Sequence, residues 1–313
     1  MIGLVGDIGG TSARFALAEP NGPIAGARIY DLNDCASLAE AIEIYLAEQS
    51  HSEPPVQAVL AVAAPIRDDE VAFTNYPWRF SIEDLRDRLK LRKLRVINDF
   101  AANALAIPYL AQEDRIQIGS GSPVAGSPIG IIGPGTGLGV SALVPDSRMP
   151  LQGEGGHVTM APADARESAV LDLMRQRYDH VSAERVLSGP GLVNLYNVLC
   201  ELADVPAAPF TSAQISSPQT WKEDARAREA TEMFCAMLGT VAGNLALTLG
   251  AGGGIYITGG IVPKLGATFV ESCFRERFEA KGRFRAYLAE IPTYMVIHPL
   301  PALMGAAALL DAA

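Results

Sequence analysis

The sequence is short of positive charge, of cysteine and of long apolar runs, and each shortage excludes something. Its 25 Lys and Arg residues are outnumbered by 35 Asp and Glu, a net charge of −10. That balance argues against a nucleic-acid surface and leaves any phosphate recognition to glycine turns and magnesium. The four cysteines, Cys35, Cys200, Cys235 and Cys273, are at least 35 positions apart. The chain therefore writes neither a CxxC redox pair nor a local zinc cluster, and buried free thiols are expected. No segment approaches the roughly eighteen uninterrupted apolar residues of a membrane span, and the first residues read as a strand rather than a basic leader. The expectation is a cytoplasmic protein that binds small molecules, with no nucleic-acid or membrane partner.

What is present is enough for two cores. A length of 313 residues corresponds to about two domains, and 49% hydrophobic content against 19% charged residues supplies their interiors. Near the N-terminus an apolar run leads into Gly6-Asp7-Ile8-Gly9-Gly10-Thr11, and the residues after it, Ser12 to Leu17, alternate as a second strand would. Walker and dinucleotide loops open directly into a helix, so this is a different device, a strand-turn-strand. Such a turn offers backbone N–H groups and a Thr hydroxyl to phosphate, and Asp7 can hold magnesium directly or through water. By itself the loop is equally a plain hairpin with glycines at its turn.

Further along, Ser37-Leu38-Ala39-Glu40 has the form of a capping box and opens a helix, and Val56 to Ala63 is a continuous apolar strand ended by Pro65. The order is β-β-α-β. Ser81 to Asp84 starts another helix, Leu94 to Ile97 is a short strand, and Phe100 to Ala106 is a helix stopped by Pro108. Asn98-Asp99 thereby stands at the C-terminal end of a strand, where open α/β sheets bind their ligands. The opening pattern then returns: Ile2 to Gly10 lies over Ile129 to Gly137 without a gap, 127 residues later, with Val140 to Val144 as the second strand. Two such units point to a duplicated architecture. A helix is expected over Ala165 to Tyr178, a surface connection over Pro206 to Thr220, a long buried helix over Ala225 to Leu249, a strand over Gly254 to Thr258, and a docked last helix from about Leu303 to Leu310.

Six motifs, in order, carry a resemblance. Gly6 to Thr11 with Arg14, Ile97 to Phe100, Gly135-Thr136-Gly137-Leu138-Gly139, Glu154-Gly155-Gly156-His157, Glu184 to Gly191 and Gly259-Gly260-Ile261-Val262-Pro263 resemble the bacterial ATP-dependent glucokinases. These belong to the hexokinase and actin-like ATPase superfamily. The resemblance implies an α/β chain with the two-domain actin-like ATPase (ribonuclease H-like) fold and an inter-domain cleft. The small domain would be residues 1–107 plus 301–313 and the large one 108–300, closing on glucose to expel water. It implies ATP and Mg2+ as cofactors, glucose as substrate and a homodimer. The nucleotide would be held by Gly6, Asp7, Ile8, Gly9, Gly10, Thr11, Gly135, Thr136, Gly137, Gly259 and Gly260, and magnesium by Asp7 through water.

By the same resemblance Asp99 is the catalytic base, and Asn98, Asp99, Glu154, His157 and Glu184 contact the sugar. Phosphoryl transfer needs a carboxylate that orients the hydroxyl and takes its proton late, and sugar hydroxyls pair well with carboxylates and imidazole. Taken singly, Asn98-Asp99 is also a turn and helix cap, His157 a structural histidine and Glu184 a surface charge. Val158 to Arg166 holds no cysteine beyond the histidine, which disfavours the zinc site of repressor-like sugar kinases. One departure from the pattern is Ser12, where the family has Asn. It keeps an oxygen and loses an amide donor. Kinases for mannose, fructose or an N-acetylhexosamine, and a noncatalytic sugar-sensing regulator, share the scaffold.

Overall fold

The computed structural model describes residues 2–20, 22–49, 54–73 and 76–310; Met1 and residues 311–313 of the expected small domain lie outside that set. The chain begins with strands β1 (Gly3–Ile8), β2 (Ser12–Ala18) and β3 (Ile24–Asp31), then helix α1 (Leu38–Glu48) and strand β4 (Gln57–Val62). Short strands β5 (Glu70–Ala72) and β6 (Arg79–Ser81) precede α2 (Ile82–Arg88), β7 (Lys93–Asn98) and α3 (Asp99–Ala106). Four strands follow, β8 (Arg115–Ile118), β9 (Ile129–Pro134), β10 (Leu138–Val144) and β11 (Met149–Gly153). Helices α4 (Ala165–Arg175), α5 (Gly189–Leu202), α6 (Ser212–Ile215) and α7 (Pro218–Trp221) lead to α8 (Ala225–Leu249). Strand β12 (Ile255–Ile257), short helices α9 (Val262–Leu265), α10 (Ala267–Val270), α11 (Phe274–Glu279) and α12 (Arg285–Glu290), strand β13 (Thr293–Val296) and α13 (Pro301–Ala307) complete it.

The chain divides into two compact units, one of Met1–Ala111, Arg148–Gln152 and His298–Ala313, the other of Gln112–Ser147 and Gly153–Ile297. The first holds a five-stranded sheet in the order β3-β2-β1-β4-β7, and a six-stranded sheet runs β11-β10-β9-β12-β13-β8. The 127-residue repeat is real in three dimensions. In both sheets an antiparallel hairpin, β1 with β2 or β9 with β10, is followed by parallel pairing of its first strand to β4 or β12. The turns differ, however. Asp7 pairs with Arg14, whereas Pro134, its equivalent in the repeat, pairs with Leu138. The second turn is tighter, so Leu138 and Gly139, quoted as part of a glycine loop, are already strand, and β10 begins before the expected Val140.

Strand alternation decides what each face of the first sheet meets. Leu4, Ile8, Leu60 and Val62 pack with Phe15, Ile42 and Tyr45 on the α1 side. Val5 and Val59 pack with Leu303, Ala306 and Leu310 on the α13 side. Both faces of β4 are thus covered, which is why its sequence is apolar from Ala58 to Val62. The helix starts follow their caps. Ser37 Oγ accepts from Glu40 N–H for α1, Ser81 from Asp84 N–H for α2, and Asp224 from the N–H groups of Arg226 and Ala227 for α8.

Some expectations need correction. No expectation covers strand β3; as a solvent-exposed edge strand it carries no hydrophobic alternation. The connection at Pro206 to Thr220 contains α6 and α7, the former opened by a capping box of Thr211 and Gln214. The last helix starts at Pro301, in the first-turn position proline favours. Cys273 is exposed while the other three cysteines are buried.

Candidate active site

In the first unit the C-terminal ends of three parallel strands gather the expected residues. Ile8 of β1 is registered with Val62 of β4, and Val62 with Asn98 of β7. The glycine turn and Asn98-Asp99 therefore leave one edge of one sheet, about 10 Å apart by strand spacing. Ile8 and Gly6 contribute backbone only. The Ile8 side chain is wholly buried, and a Cβ on Gly6 would lie 2.7 Å from a Leu60 methyl. In the turn, Gly9 N–H donates to Ser12 O at 3.0 Å, and no backbone acceptor among the described residues takes the N–H of Gly10 or Thr11.

Asp7 faces Arg14 directly across the hairpin, with Nη1 2.9 Å from Oδ2 and the two side chains 17% and 35% exposed. Burial pushes the Asp7 carboxyl above its ordinary range, while the charge and hydrogen bond of Arg14 pull the other way. Asn98 fulfils the cap reading in full: its Oδ1 accepts from Phe100 N–H at 2.9 Å and Ala101 N–H at 3.2 Å, and its Nδ2 donates to Ala64 O at 3.5 Å. That cap sets Asp99 as the first residue of α3, half-buried, where the helix dipole favours an anion. Asp99 Oδ1 accepts from Phe100 N–H at 3.0 Å and its carbonyl from Asn103 Nδ2 at 2.9 Å.

The second unit gathers the rest. Gly135 N–H donates to Gly137 O at 2.8 Å, closing the tight turn, and no backbone acceptor among the described residues takes the N–H of Thr136 or Gly137. Beside it, at the end of β12, Gly259 has φ +84°, and a Cβ there would lie 2.4 Å from Pro134 O. Only glycine lets this segment lie on β9. Glu154-Gly155-Gly156-His157 owes its glycines to contact with β10, since a Cβ on Gly156 would lie 2.0 Å from Leu138 O and one on Gly155 2.8 Å from Val140. Glu154 and His157 stand 3.9 Å apart, 68% and 57% exposed. Backbone bonds from Met160 N–H to Val181 O and from Ala183 N–H to Val158 O tie this segment to the one carrying Glu184. Glu184 Oε2 accepts from Leu138 N–H at 2.8 Å.

The residues fit a nucleotide and a magnesium ion. Nothing lies within 4 Å of a Cβ built on Gly135 or Gly260, so both turns border open space. The buried hydroxyl of Thr258, just before Gly259, has no hydrogen-bond partner among the described residues. Magnesium retains waters and substrate oxygens and needs one or two carboxylates, a role open to Asp7.

Hairpin-plus-crossover sheets, each with a glycine turn at the end of its first strand, give the class of fold, the two-domain actin-like ATPase fold, and a solved structure that shares it is that of a sugar kinase. A family model described as Glucokinase matches residues 4–313, and the chain belongs to that family. It is 50% identical over 311 residues to a glucokinase of Aromatoleum aromaticum, covering 98% of this chain and 94% of the relative. A glucokinase of Paramagnetospirillum magneticum is also 50% identical, over 309 residues, 98% of this chain and 96% of the relative. The crystal structure of a glucokinase from an Antarctic psychrotroph superposes with a TM-score of 0.88 at 38% identity, covering 98% of each chain.

Two groups that touch the candidate residues carry no site reading in the sequence. Arg14 stands there only as part of a motif; its spacing from Asp7 across a short hairpin is the available signal. The Leu138 amide had none, because backbone donors look alike in every sequence.

Proposed function

We propose that this chain transfers the γ-phosphoryl group of ATP to the 6-hydroxyl of glucose, giving glucose 6-phosphate and ADP. The observation that carries the reading is the row Ile8, Val62, Asn98, which puts a glycine turn and the Asp99 carboxylate on one sheet edge. Asp99 orients the 6-hydroxyl and accepts its proton as the O–P bond forms. Asn98, Glu154, His157 and Glu184 bind the sugar hydroxyls. The N–H groups of Gly10 and Thr11 and of Thr136 and Gly137 receive the phosphates, and Gly259-Gly260 lies along the adenosine. Asp7 would hold magnesium, which would supply positive charge to offset the negative charge of the triphosphate. The two units work as the small and large domains, in a cytoplasmic homodimer.

ADP release measured by a coupled assay across glucose, mannose, fructose and N-acetylglucosamine tests this. Turnover should be highest with glucose. A preference for another hexose would reassign the substrate, and no ADP with any of them would turn the reading toward a noncatalytic sugar sensor.

A further inference from the structure

We propose that Glu184 is a positioning residue for the nucleotide as well as a sugar contact: its Oε2 holds the Gly135 to Gly137 turn in the shape that receives phosphate. The inference rests on the reading of that turn as phosphate-binding. The carboxylate lies hard against the turn. Leu138 N–H donates to Oε2 at 2.8 Å, and a Cβ on Gly137 would lie 2.5 Å from the same oxygen. The other end of the turn is held as well, by Gly189 N–H donating to Gly135 O at 2.8 Å. One segment, 184–189, thus pins both ends of a three-residue turn.

The pinning segment is itself braced. Ser188 Oγ donates to Glu184 O at 2.8 Å and accepts from Gly191 N–H at 3.0 Å, capping α5. Glu184 has two carboxylate oxygens, and with Oε2 on the turn, Oε1 is the one left for a sugar hydroxyl. The sugar and phosphate halves of this unit then share one side chain.

Two effects of Glu184 on the nucleotide oppose each other, and substitution separates them. Its charge repels phosphate, whereas its hydrogen bond orders the turn that binds phosphate. Glu184→Gln removes the charge and keeps an acceptor oxygen; Glu184→Ala removes both. Gly137→Ala keeps the carboxylate but drives it off the turn.

The experiment is calorimetric titration of the full chain with magnesium-ADP in the absence of sugar, alongside thermal midpoints for each variant. Glu184→Gln should bind ADP as tightly as the unsubstituted chain or a few-fold tighter. Glu184→Ala should bind roughly tenfold more weakly, the scale of one charge-assisted hydrogen bond. Gly137→Ala should match it, and the double variant should be no weaker than Glu184→Ala alone. Glu184→Ala binding ADP as well as the parent, with only the glucose KM raised, would overturn the proposal and leave Glu184 a sugar contact. If Glu184→Ala fails to fold, Gly137→Ala decides: unchanged ADP affinity there overturns the proposal equally. Failure of the parent chain itself to bind ADP would instead remove the phosphate reading of the turn.

Discussion

At the scale of single residues, Asn98 caps α3 and by doing so places Asp99, the proposed base, at the helix start. The Asn98 amide spends its oxygen on two backbone donors of α3, and that fixes the first residue of the helix, Asp99, at the sheet edge. The cap reading and the functional reading were never exclusive. Asp99→Asn keeps size and hydrogen-bonding capacity but loses the base, so turnover should fall by roughly 10²-fold or more. Glucose and ADP affinities, measured by titration, should stay close to those of the parent. Near-normal turnover would remove Asp99 from the chemistry.

At the scale of elements, α13 packs directly on α3 in the first unit. A Cβ on Gly305 would lie 1.8 Å from Ala102 O and 2.6 Å from its carbonyl carbon, both backbone atoms that cannot rotate away. Gly305→Ala should therefore cost roughly 1–3 kcal/mol or more through overpacking. Thermal unfolding checks this, and an unchanged midpoint would mean the helices separate freely. The hairpin repeat is legible at this scale too, since the apolar-then-glycine pattern recurs at both places. The length of each turn is not: Asp7 opposite Arg14 and Pro134 opposite Leu138 follow from cross-strand pairing, which the local pattern does not encode.

At the scale of the whole molecule, the cysteines report on both cores. Cys35 lies in the first unit's interior, Cys200 and Cys235 in the second's, and Cys273 is exposed. Burial raises the pKa of the Cys35, Cys200 and Cys235 thiols, pushing Cys235 to about 12, and partial desolvation raises that of Cys273 despite its exposure. A raised thiol pKa means less reactive thiolate at a given pH. At pH 8 a thiol reagent should find one slowly reacting group in the folded protein and all four in urea. Two or more fast groups in the folded protein would contradict the burial described.

By itself the sequence determined the α/β order of elements, the repeat, the positions of the main caps and the motifs that mark the family, because these rest on local periodicity and on glycines at fixed offsets; the fold followed from the family those motifs resemble. The sequence reached the buried strand β4 through the apolar run Ala58 to Val62 and missed the edge strand β3, which is exposed and so carries no hydrophobic signal. Only the tertiary structure decided which side chains and amides meet within each unit. It alone registered Ile8, Val62 and Asn98 in one row and brought the Glu184 carboxylate onto the Leu138 amide. Each of these joins residues far apart in the chain, and their meeting is set by the packing of whole elements.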